Sequence, residues 1–221
     1  MSRANDHPKA RNAKREALRA LLSARDHAGL GAWAQSQSNP ASPLIAFLFE
    51  PDLLLCWRAI EALGGVARAT YADDPERWRN TLRRLLWHMN EESGGIIWLA
   101  PEAAASVLRA APDLIAEYGN QLLSRYADSP FERGVRWAAA YLAPVAPELA
   151  MYWSETLSPS LENADAAIRG LTAAALKDVR SPAIESVLAK LRDDNAAVEL
   201  YDFASGEFGV RTVADLTRGL S

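Results

Sequence analysis

The chain has 221 residues, 24 of them Lys or Arg and 28 Asp or Glu, for a net charge of -4, and 49% of it is apolar. That balance excludes a disordered chain and leaves room for one well-cored domain or one continuous array of helical pairs. With a pI of 5.5 a dedicated nucleic-acid binder is not the default expectation.

Alanine is abundant while Val, Ile and Thr are scarce, which favours helix over strand. The first 25 residues hold Arg3, Lys9, Arg11, Lys14, Arg15, Arg19 and Arg25 against only Asp6 and Glu16. Residues 1–12 read as a basic tail, a solvated face that could touch an acidic partner, a lipid or a nucleic acid. From Ala13 to Arg25 the pattern is helical, with Leu18, Leu21 and Leu22 on one face, and Gly29 and Gly31 end it. A segment with Trp33 gives way to a polar loop over residues 35–43, and a brief helix over 44–49 closes at Pro51.

A long apolar-periodic helix is expected from Asp52 to about Tyr71, with Gly64-Gly65 as a weak point. Asp74-Pro75 is a strong start signal for the next one, which carries Trp78, Leu82, Leu85, Leu86 and Met89 and stops at Ser93-Gly94-Gly95. Prolines or caps then open helices over 102–111, 114–127, 131–144, 148–157, 164–179 (capped by Asn163) and 183–192. Residues 13–192 thus form the helical body, and 193–221 a terminal unit of that same domain. In this unit 198–201 and 207–210 alternate as a hairpin, and Thr212 with Asp215 makes a capping-box start for a last helix to Leu220.

Four segments repeat. Residues 57–64 match 98–104, and more loosely 136–142 and 170–176; equating Leu63, Ala104, Leu142 and Leu176 gives spacings of 41, 38 and 34 residues. Such spacing is that of helical-pair repeats, whose small residues let neighbours approach closely. The Ala-x-Glu-Ala-Leu-Gly pattern at 59–64 and the alanine-rich pattern at 167–176 resemble HEAT-like repeats of the phycobilisome-lyase type. The block 83–102 with 133–137 further resembles a bacterial HEAT-repeat family of unassigned function. That resemblance covers residue 44 onward. It implies an all-α, right-handed α-solenoid of about four to five helical pairs, closed by the hairpin and helix, and it carries no catalytic residues to transfer.

Candidate binding residues fall into three sets. The turn Asn90, Glu91, Glu92, Ser93, Gly94 and Gly95 offers carboxylates and free amides, though its spacing is not that of a calcium loop and its anions would repel phosphate; the alternative is a helix stop with Trp87 and Trp98 packed beneath it. Trp57, Trp98, Trp137 and Trp153 would form either core or an aromatic groove. Arg58, Arg133, Arg136 and Arg169 would line the concave side, either binding an acidic partner or pairing with Glu61, Glu102 and Glu132.

The single Cys56 lies in an apolar run and suits a reducing compartment, with the cytoplasm as the expected location. No run of about 20 apolar residues suggests a membrane span. The three histidines are dispersed, and no zinc, P-loop, nucleophile-elbow or dinucleotide motif occurs, so no metal, cofactor or catalytic set is expected. The function expected is protein binding through the concave face, in a module without enzymatic activity. The alternatives are a ligand, metal or enzyme site at the 90–95 turn, or a grip on nucleic acid like that of the HEAT-like DNA glycosylases.

Overall fold

The computed structural model describes residues 6–90 and 95–220. The helices are α1 (Asp6–Ser23), α2 (His27–Gln35), α3 (Ala41–Ala46), α4 (Leu53–Thr70), α5 (Pro75–His88), α6 (Ala100–Ala110), α7 (Ile115–Leu123), α8 (Glu132–Leu142), α9 (Pro147–Tyr152), α10 (Ser154–Leu157), α11 (Ala166–Leu176) and α12 (Pro182–Leu191). An antiparallel hairpin, β1 (Ala197–Asp202) with β2 (Glu207–Thr212), and a last turn of helix, α13 (Val213–Leu216), follow.

Four helices make an inner row, each packed on the next: α4 on α6, α6 on α8, α8 on α11. They are the four that carry Leu63, Ala104, Leu142 and Leu176, so the repeat spacing marks a real packing series. Flanking them, α3 lies on α4, α5 on α6, α7 on both α6 and α8, and α9 on α8 and α11. Close approach comes from small side chains: Ala100, Ala103, Ala104 and Ala105 of α6 have no exposed surface, and Ala138 of α8 and Ala173 of α11 match them.

Gly64 is part of that contact rather than a weak point. A methyl group there would stand 2.3 Å from the Ser106 hydroxyl oxygen and 3.2 Å from the Ser106 carbonyl oxygen. Ser106 in turn donates to the Ile60 carbonyl at 2.9 Å, tying α6 to α4.

Several local boundaries differ from expectation for identifiable reasons. Helix α1 begins at Asp6, so it reaches into the stretch read as a tail. Gly29 and Gly31 lie inside α2, because the chain breaks earlier: Arg25 takes a left-handed φ of 51° and the Asp26 carboxylate caps α2 by accepting from Gly29 N. The cap of α11 is Asp165, which accepts from Ala167 N and Ile168 N, while Asn163 accepts from Asp165 N. The capping box at Thr212 and Asp215 forms as expected, but its helix is the short α13.

Candidate functional site

The C-terminal hairpin lies against the inner row: β1 packs on α11, and hairpin aromatic residues meet α4 and α8. Trp57 of α4 meets Trp137 of α8 edge to face with ring centroids 5.1 Å apart, and stacks on Tyr201 of β1 at 5.4 Å. Phe203, from the hairpin tip, stacks on Tyr141 at 5.4 Å, and Tyr141 stacks on Trp137 at 4.6 Å. Trp57, Trp137 and Tyr201 are buried as a result. The aromatic groove is thus occupied by the chain's own aromatic residues.

The arginines expected to await a partner are held in the same way. Arg58 donates to Ser23 O at 2.5 Å, Gly206 O at 3.3 Å and the Glu207 carboxylate at 2.5 Å. Arg133 donates to Glu199 O of β1. Arg169 grips Asp194 at 2.7 Å and donates to Ala164 O at 2.8 Å. Arg136 is core: it donates to Tyr126 O, Glu132 O and Ser160 Oγ at 2.7, 2.8 and 2.7 Å. Of the carboxylates expected beside them, Glu61 instead receives Arg25 at 2.7 Å and the Tyr201 hydroxyl at 2.7 Å. Arg25 also donates to the Phe203 and Ala204 carbonyls. An unpaired guanidinium over buried aromatic surface would cost solvation, so hairpin carbonyls and carboxylates in those positions are what stabilise the arrangement.

Glu102 of α6 is buried, with 5% of its surface exposed. Its carboxylate occupies the space that Gly134 leaves on α8, where a methyl group would stand 2.8 Å from both oxygens. Oε2 has no hydrogen-bond partner among the described residues. Burial pushes the carboxyl up from 4.5 to about 7, against the pull of the nearby Arg133 charge. The group is a neutral acid over most of the acidic range.

The turn lies apart from this cluster, at the end of α5. Asn90 N donates to Trp87 O at 2.8 Å, its side chain donates to Leu86 O at 2.9 Å, and its Oδ1 accepts from Arg125 of the segment after α7. His88 closes the turn, donating from Nδ1 to Gly95 O at 2.9 Å. Glu91, Glu92, Ser93 and Gly94 lie outside the described residues. Trp87 and Trp98 are not buried: they are 57% and 72% exposed, with Phe49 and Leu53 also about half exposed. Phe49 and Trp87 each stand edge to face with His88, at 6.0 and 5.1 Å.

The sequence-predicted residues therefore separate. Arg58, Arg133 and Trp137 gather under the hairpin, and Glu102 is buried against Gly134 beside Arg133; Arg136 is internal; Arg169 is tied to Asp194; Asn90 and Gly95 lie beside His88 at the end of α5, and Trp98 is exposed before α6. Phe49, Leu53 and Arg125 escaped sequence reasoning, since only contacts between distant segments identify them. An alternation signal was present for the hairpin, but not what it would cover.

Two other features bear on chemistry. Cys56 is buried, its thiol directed at the carbonyls of Phe47 and Glu50, both at 3.3 Å, and burial pushes it up to about 11. Among the described residues no cluster of His, Cys, Asp or Glu could hold a metal ion, and no helix is long and apolar enough to cross a membrane.

No family model matches the chain. No solved structure matches it. An uncharacterized protein of the archaeon Archaeoglobus fulgidus is 31% identical over 166 residues, which span 73% of this chain and 85% of that one. The chain belongs to the same protein family as that archaeal relative.

Proposed function

We propose that the chain is a HEAT-like α-solenoid module without enzymatic activity, one that binds another protein. The serial packing of α4, α6, α8 and α11, with flanking helices outside them, supports the repeat reading. Binding through a concave face has less support, because the hairpin covers Trp57 and Trp137 and engages Arg58 and Arg133, while Arg136 and Arg169 have partners elsewhere in the chain. The observation that carries the proposal is the exposure of Phe49, Leu53, Trp87 and Trp98, with Phe49 and Trp87 both edge to face with His88. Large aromatic groups half or more in water are characteristic of docking anchors, which bury much area with few rotors to freeze. The nucleic-acid reading has less support for the same reason as the concave face: the inner arginines already have partners.

The test compares the immobilised chain with a Trp87→Ser/Trp98→Ser variant in capture from a native extract, with bound proteins identified by mass spectrometry. The expected outcome is a protein retained in near-stoichiometric amount by the native chain and lost from the variant, with both melting alike. Identical retention by the two, or no specific retention by the native chain, overturns the proposal.

A further inference from the structure

Helix α1 breaks its own pattern. Leu18 and Leu22 form its buried stripe, at 1% and 0% exposure. Continued toward the N-terminus, the positions one and two turns earlier on that face are Lys14, Arg15 and Arg11. An amphipathic helix normally keeps such positions apolar and sends its cations to the opposite face. Here they border a cavity of about 460 Å³ between α1, α2 and α3.

The cavity has an apolar floor and a basic rim. Leu18 and Phe47 are its buried floor, Trp33 and Pro43 stand in its walls, and Arg11 and Lys14 are at its edge. Arg15 is already engaged, bound to Glu50 and lying over the Phe47 ring at 5.3 Å. Arg19 shares both partners, at 2.8 Å from Glu50 and 5.6 Å from the ring centroid. Glu50 is therefore doubly compensated and held below its ordinary range by these two guanidinium groups, which leaves it little attraction for further cations. Among residues 11–90 and 95–220 no carboxylate comes within ion-pair distance of Arg11 or Lys14.

A space of this size, lined by five apolar or aromatic residues and six polar or charged ones, four of the latter on α1, has the proportions of a small-molecule site. We infer that it binds an amphiphilic organic anion: an aliphatic or aromatic body against Leu18, Trp33, Phe47 and Pro43, and one anionic head between Arg11 and Lys14. A neutral apolar molecule would leave the two cations unanswered. A compact inorganic anion would leave the floor wet. The inference is independent of the proposed docking edge, which lies at the end of α5.

The test follows the Trp33 indole N–H resonance, assigned with Trp33→Phe, as decanoate is added below its micelle concentration or as phosphatidylglycerol vesicles are added. Decanol serves as the neutral comparison, and the Trp87→Ser/Trp98→Ser background removes the exposed tryptophans as rival sites. The expected result is a saturable shift with an anionic probe and at least tenfold weaker binding of decanol. An Arg11→Glu/Lys14→Glu variant should fold normally and lose the anion response. A response to decanoate identifies a free acid as the source, and a response to vesicles alone identifies a lipid headgroup. No shift with either anion, or an anion shift that persists in the charge-reversed variant, overturns the inference.

Discussion

The indole of Trp57 on α4 and the phenol of Tyr201 on β1 lie stacked, 5.4 Å between centroids and 15° from parallel, although they are far apart in the sequence. The Tyr201 hydroxyl continues the contact by donating to Glu61, which also holds Arg25. Together with the Arg58 contacts to Gly206 and Glu207, this relationship binds the hairpin to the first helix of the inner row. Replacing Tyr201 by Ala removes the stacked ring and the hydroxyl together and should cost about 3 kcal/mol. Tyr201→Phe keeps the ring and should cost about 1 kcal/mol, since Glu61 retains Arg25. Urea unfolding of the two variants checks the order; equal losses would mean that the hydroxyl, not the stacking, anchors the hairpin.

Gly64→Ala tests the close approach of α4 to α6. In an isolated helix the change would favour folding by roughly 1 kcal/mol. In the folded chain the new methyl group collides with Ser106, whose hydroxyl is committed to Ile60 O and whose carbonyl is backbone. Overpacking of this kind costs about 1–3 kcal/mol, so the net effect should be destabilising. A Gly64→Ala/Ser106→Gly double variant should regain part of the loss, while Gly65→Ala, with open space around its methyl group, should not be destabilised by any clash. A stabilised Gly64→Ala chain would show that the helices sit farther apart.

What could be read from the residues was what local periodicity and capping control. The spacing of Leu63, Ala104, Leu142 and Leu176 identified the inner row, since each position repeats the same local demand for a small or aliphatic contact. Asp74-Pro75 and the pair Thr212 and Asp215 announced helix starts, because a cap acts over three residues. The destiny of the inner face was not legible. Arg58, Arg133 and Trp137 look the same in sequence whether an outside partner or residues 199–207 will meet them, and only the folded return of the chain decides. Trp57 and Trp98 align in the repeat, yet one lies within α4 under the hairpin and the other in the turn before α6, exposed to water. Gly29 failed as a stop signal because the left-handed turn had already been made at Arg25, which the hairpin carbonyls and Glu61 hold in place.

Glu102 gives a pH dependence with a definite sign. Its carboxyl keeps a proton to about pH 7 in the fold, whereas at its ordinary value the unfolded chain releases it near 4.5. Between those limits the folded state binds more protons, so this group's contribution makes stability fall as pH rises, and the penalty is complete above about 7. The full penalty is of the order of 3 kcal/mol. Glu102→Gln cannot ionise, so its melting temperature relative to the native chain should climb across that window and level off beyond it. A constant offset would mean that the folded carboxylate is charged throughout, stabilised by Arg133 more than its burial suggests.

Cys56 should be inert while the chain is folded. Its thiol is shielded, faces two carbonyl oxygens and is pushed up to about 11, so little thiolate exists at mildly alkaline pH. Iodoacetamide should therefore modify it only at the rate of unfolding, and full modification should follow denaturant concentration. Rapid labelling of the native chain would show that the α4 N-terminus opens locally.

Arg136 separates a structural arginine from a binding one. It is 6% exposed, with three hydrogen bonds to Tyr126 O, Glu132 O and Ser160 Oγ and with Nε unpartnered among the described residues. Burial holds its guanidinium below the ordinary arginine range, a cost that the three acceptors offset in part. Arg136→Met keeps much of the stem's packing but strands those acceptors, and should cost about 2–4 kcal/mol. Arg133→Met, which removes a single bond to Glu199 O near the surface, should cost under about 1.5 kcal/mol. If the two losses were equal in thermal or urea unfolding, the two helical neighbours would be doing the same job, and the division of the inner arginines into core and hairpin contacts would not hold.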